Sequence, residues 1–163
     1  MNIHPSALVH PNTKIHPSVH IGPFVCIEEN VEIGEGTIIE NNATICSNTT
    51  IGKNCHVFQG AVVGGLPQDL KYQGEETYTI IGDNTVLREF VTVHRGTASK
   101  KQTVVGNACL IMAYCHVAHD CVLGDHIIMS NATQLAGEVV VDDYAIIGGG
   151  SLVHQFTHIG GHV

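Results

Sequence analysis

Every sixth residue of the chain is aliphatic, from Ile3 through Val9, Ile15, Ile21, Ile27, Ile33, Ile39, Ile45, Ile51 and Val57 to Val63. The same phase resumes at Ile81, Leu87 and Val93 and runs from Val105 to Ile159, failing only at Asp69, Glu75 and Ser99. A period of six is neither the 3.6 of a helix nor the simple alternation of a strand.

Four places after each aliphatic the residue is small or β-branched, as at Ala7, Thr13, Val19, Thr37, Ala43, Cys55, Ala61, Cys109, Thr133 and Ala145. The fourth place of the hexad reads Ser6, Asn12, Ser18, Asn30, Gly36, Asn42, Asn48, Asn54 and Gly60, with Phe24 the exception. Gly turns a backbone at no steric cost, and Asn and Ser bond their own main chain. Each hexad is therefore a short strand and a corner, the signature of an all-β chain coiled as a parallel β-helix of hexapeptide repeats.

The phase leaves no room for a linker, so one β-helix domain is expected over residues 1–163. A thin core explains the few aromatic residues and the absence of Trp. The start MNIHPSALVH has neither the basic head nor the apolar run of a signal peptide, and a cytoplasmic protein is expected. Cys55, Cys109, Cys115 and Cys121 fall at the small inward place and Cys26 lies beside Ile27, so the repeat accounts for five of six cysteines without disulfide or metal. The formal charge of -8 argues against a nucleic-acid partner. Lys71, Arg88, Arg95, Lys100 and Lys101 concentrate positive charge between 71 and 101, where an acidic partner would dock unless the cluster is only a solvated surface.

The repeat breaks at about 66–79 (LPQDLKYQGEETYT) and at about 98–103 (ASKKQT), and both segments are expected to leave the prism as loops that wall a cleft or reach a neighbouring subunit. Within a regular coil, AYCHVAHDC places His119 at the third hexad place, pointing outward, with Asp120 next to it to orient the ring. That makes His119 a candidate general base. His4, His10 and His16 form a column at the second place that reads as an exposed ladder rather than a site.

The strings QDLKY (68–72), TVHRGT (92–97), HVAHDC (116–121), NATQLAG (131–137), AIIGG (145–149) and VHQF (153–156) closely resemble the UDP-N-acetylglucosamine O-acyltransferases of lipid A synthesis, over essentially the whole chain. The resemblance implies a left-handed coil of three hexads per turn, associated as a homotrimer with its site between subunits. It implies transfer of an (R)-3-hydroxyacyl group from acyl carrier protein to the 3-hydroxyl of UDP-N-acetylglucosamine, with no cofactor, metal or acyl-enzyme. It makes His119 the base, Asp120 its orienting partner and the Gly137 N–H the donor to the thioester oxygen. Gln68, Asp69, Lys71, His116, His154 and Gln155 match substrate contacts.

Two departures stand out: Glu138 occupies the place where the family commonly has His, and the chain stops at Val163 where family members continue into further coils and a C-terminal helical domain. A fragment of a longer protein is expected, with an uncapped last rung prone to edge aggregation. Rival readings are an N-acyl or acetyl-CoA-dependent hexapeptide transferase and an inactive trimerisation scaffold. A zinc enzyme of the γ-carbonic-anhydrase type needs an HxxxxH pair, and no two histidines here are five apart.

Overall fold

The computed structural model describes residues 2–163. Twenty-four strands of two to four residues wind into three parallel sheets of eight strands each, and within every sheet neighbours are three strands apart in chain order. Three hexads therefore close one coil of a left-handed parallel β-helix. The first face runs from Asn2–Ile3 to Ile146–Ile147, the second from Leu8–Val9 to Leu152–Val153, and the third from Thr13–Ile15 to His158–Ile159. Among the described residues there is no helix, hence none long and apolar enough to cross a membrane.

Paired residues on the first face lie 18 apart in most coils, as Ile39 opposite Val57 shows, but Val57 meets Leu87 and Leu87 meets Ile111. Those separations of 30 and 24 mean that the two interrupted coils expel 12 and 6 residues, whole numbers of hexads. The three failures of the pattern at Asp69, Glu75 and Ser99 are the three expelled hexads. An unbroken phase is thus compatible with insertions, and it hides them. The expelled segments follow Val62–Gly65 and Thr92–His94 at the corner between second and third faces, and the ladder resumes at Tyr78 and Gln102.

First-place aliphatics fill the prism: Ile21, Ile39, Leu87, Ile111, Met129 and Leu135 are fully buried, while Ile3, Val9, Val153 and Ile159 at the two ends are only partly so. The small fifth place has a polar use as well. Cys55, Cys109, Cys115 and Cys121 each donate a thiol hydrogen bond to a corner carbonyl one coil above, at 3.1–3.2 Å, and Thr37 and Thr85 link corners in the same way. All six cysteines are free, and burial pushes the Cys121 thiol up to about 11.

Outside the insertions, every fourth-place residue from Phe24 to His162 except Gly96 has φ between +51° and +70°. Phe24 is therefore no exception, and Phe90, Tyr114, Glu138 and Tyr144 adopt the same left-handed corner as Asn and Gly. That conformation costs a side chain about 1–2 kcal/mol. Stacking between successive coils offsets part of it: Phe90 on Tyr114 at 5.4 Å, and His126, Tyr144 and His162 in a column at 4.6 and 4.9 Å. The first three corners differ. The N–H groups of Ser6, Asn12 and Ser18 donate to Nδ1 of His4, His10 and His16 at 3.1–3.3 Å, so the histidine ladder caps turns.

Candidate active site

A cleft of about 790 Å³ opens where the first insertion overhangs the second face. Its wall is Gln68–Lys71, and its floor comes from the last three coils, with His116, His119, Gly137, His154 and Gln155. Residues separated by 87 positions in sequence line one cleft because the insertion leaves at the same corner that carries His119 two coils above it. Asp120 sits behind the cleft, fully buried.

His119 leaves the prism as its third place requires, yet it is only 8% exposed, because the next coil lies against it. A Cβ on Gly137 would come within 2.5–2.6 Å of His119 Cε1 and Nε2, so only glycine lets the ring lie there. The Gly137 N–H has no hydrogen-bond partner among the described residues. It shares this with other third-place amides whose coil above offers no carboxylate.

Asp120 Oδ2 lies 2.8 Å from His119 Nδ1. The carboxylate also accepts the Thr97 hydroxyl and the N–H groups of Thr97 (2.9 Å) and Lys100 (3.1 Å). Burial pushes its pKa up, but the bonds from Thr97, His119 and Lys100 outweigh burial and hold it below the ordinary carboxylate range. An ionised Asp120 can only accept, so His119 carries its proton on Nδ1 and keeps the Nε2 lone pair. The Asp120 N–H donates to Thr103 Oγ1 at 2.8 Å.

His116 and His119, three residues apart, line the same cleft. His116 Nδ1 is 2.7 Å from Thr92 Oγ1, and its ring meets His94 edge-on at 4.6 Å. Burial, with His116 and His119 beside it, pushes His94 down to about 4, and burial lowers His116 as well. Among the described residues no group of three His, Cys, Asp or Glu side chains is arranged to hold a metal ion.

The sequence reading did not assign His94, Thr97, Lys100 and Thr103. Thr97 bonds Asp120 across 23 positions, one short of a coil plus the expelled hexad, a relation visible only once the second insertion's length is known. The basic cluster does not form one surface. Arg88 pairs with Glu89 at 3.0 Å and stands over Phe58, Arg95 is buried with Nε donating to the Gly64 carbonyl, and Lys71 alone lines the cleft. Glu138 does not line the cleft. Its carboxylate accepts the Ser99 hydroxyl at 3.1 Å and lies 4.0 Å from Lys100 Nζ.

Residues 3–98 match the family model described as GMPPB C-terminal domain, and residues 102–137 that described as bacterial transferase hexapeptide (six repeats). The acyl-[acyl-carrier-protein]–UDP-N-acetylglucosamine O-acyltransferase of Pseudomonas savastanoi pv. phaseolicola is 54% identical over 107 residues, covering 65% of this chain and 42% of that protein. The solved UDP-N-acetylglucosamine acyltransferase of Bacteroides fragilis superposes with a TM-score of 0.97 at 49% identity, over 98% of this chain and 63% of that one. That of Acinetobacter baumannii gives 0.94 at 42%, over 98% and 64%. The chain thus spans about two fifths of the curated relative and under two thirds of the solved ones. The family model that covers more than half of the chain is that of the GMPPB C-terminal domain, and identity of this height on a superposable coil makes the chain similar to the UDP-N-acetylglucosamine O-acyltransferases over the part of them that it spans.

Proposed function

We propose that these coils form the catalytic part of an acyltransferase that moves an (R)-3-hydroxyacyl group from acyl carrier protein to the 3-hydroxyl of UDP-N-acetylglucosamine, the first step of lipid A synthesis, in the cytoplasm. The observation that carries the reading is His119 packed on Gly137 at one cleft, with Asp120 bonded to the ring from behind.

His119 Nε2 takes the proton of the sugar hydroxyl as that oxygen attacks the thioester carbonyl. A positioned base contributes about 10²–10⁴-fold to such a step. Ionised Asp120 stabilises the imidazolium that forms. The uncommitted Gly137 N–H meets the oxyanion, and its collapse expels the carrier thiolate, which recovers the proton from His119. Gln68, Asp69, Lys71, His116, His154 and Gln155 line the cleft, and on this reading they contact the sugar nucleotide and acyl chain.

The working form is a homotrimer. Leu70 at the tip of the wall is fully exposed, and Leu8 and Leu152, on the first and last strands of the second face, are 71% and 81% exposed, separate apolar points for neighbouring copies. Incubation with UDP-N-acetylglucosamine and a set of (R)-3-hydroxyacyl carrier proteins, followed by mass spectrometry, gives the O-acylated sugar nucleotide on this reading. Acylation from acetyl-CoA alone, or no product from a folded trimer, would overturn it.

A further inference from the structure

The two insertions are joined by a carboxylate that substrate contacts do not explain. Glu75, in the first insertion, accepts the N–H of Gln73 through Oε2 at 2.8 Å and the N–H of Ala98, in the second insertion, through Oε1 at 3.1 Å. Among the described residues this is the one side-chain hydrogen bond between the insertions. The Gln73 and Ala98 amides hold the Glu75 carboxyl below its ordinary range, with Lys101 the nearby cation.

Ala98 lies within a turn whose successive residues all reach carboxylates. Thr97 gives N–H and OH to Asp120, Ala98 gives N–H to Glu75, Ser99 gives OH to Glu138, and Lys100 gives N–H to Asp120. Two of these residues hold Asp120, and Asp120 holds His119. The other end of Glu75's insertion is the cleft wall, Gln68–Lys71.

We propose that Glu75 is a positioning residue that couples the cleft wall to the His119–Asp120 pair through the turn 97–100. With Glu75 in place, the wall and the turn move as one piece, so contacts made by a sugar nucleotide at Gln68–Lys71 are transmitted to the orientation of the base. The kinetic consequence rests on the transferase reading; the mechanical one does not.

The test is amide exchange and histidine ring spectra of the full chain by NMR, comparing wild type with Glu75→Ala and with Tyr72→Phe. The latter loses the Tyr72 hydroxyl bond to the Glu75 carbonyl (3.2 Å) but leaves the carboxylate in place. In Glu75→Ala, exchange at Thr97 and Lys100 rises about tenfold and the His119 ring signals move, while Tyr72→Phe changes neither. Exchange rising only at Gln73 and Ala98, with Thr97, Lys100 and His119 unmoved, would overturn the proposal. Glu75→Gln keeps one acceptor oxygen, shows a smaller rise, and replaces the alanine variant should that fail to fold. In the assay, kcat falls about tenfold in Glu75→Ala and partly recovers in Glu75→Gln. An inactive wild type would end the transferase reading and leave the exchange result to decide the role of Glu75.

Discussion

Two corners of the prism use the same hexad place in opposite ways. Between third and first faces the third place carries Lys53, Asp83, Asn107, Asp125 and Asp143. There the side-chain oxygens of Asp83, Asn107, Asp125 and Asp143 each take the N–H of the residue one coil below, at 2.6–2.8 Å. Glycines at the preceding place let the coils touch: a Cβ on Gly82 or Gly106 would meet backbone of the next coil at 2.6 and 2.3 Å. Between second and third faces the same place carries Arg95, His119, Gly137 and Gln155, and no carboxylate ladder caps the amides. One corner spends its side chains on the stack. The other leaves His119, Gln155 and Gly137 open to the cleft, and both insertions leave the prism there.

That contrast predicts a dissociation between activity and stability. Asp120→Asn has the largest effect. The amide no longer fixes the Nδ1–H tautomer of His119, and turnover falls on the order of 10³-fold, measured as initial rates on a chain shown by its CD spectrum to be folded. Gly137→Ala follows, because its methyl displaces the His119 ring, and kcat drops about 10²-fold while the midpoint of thermal unfolding stays close to wild type.

His94 comes next and links the two properties. Its folded pKa of about 4 lies below the ordinary 6.5, so the unfolded chain binds this proton first as pH falls. The stability it contributes is complete above pH 6.5 and is lost down to about pH 4, roughly 3 kcal/mol in all. His94→Gln flattens that part of the stability profile, measured by urea unfolding across the range. The smallest effect belongs to the ladder corner. Asp125→Ala frees the exposed Asn107 N–H, costs about 1 kcal/mol in the same unfolding experiment, and leaves turnover unchanged.

The repeat was legible because burial imposes it: an inward place tolerates only an aliphatic, and the phase of Ile3 to Ile159 follows. The pair His119–Asp120 was legible because its members are adjacent in sequence. What could not be read is what depends on coil height. Thr97 and Lys100 support Asp120 only because one hexad is expelled between Val93 and Val105, and whole-hexad insertions leave the phase intact. The left-handed corner at Phe90 or Tyr114 was hidden for another reason: its cost is offset by stacking on the coil above, which local sequence does not contain. The burial of His119 at an outward place likewise comes from Gly137, 18 residues on.

Single-turnover acyl transfer by His119→Ala beside wild type, at saturating UDP-N-acetylglucosamine, tests the central claim most directly. The account predicts a loss of about 10²–10⁴-fold with the fold and trimer intact. A His119→Ala chain that transfers acyl groups within a few-fold of wild type would contradict it, and would move the base to another group in the cleft.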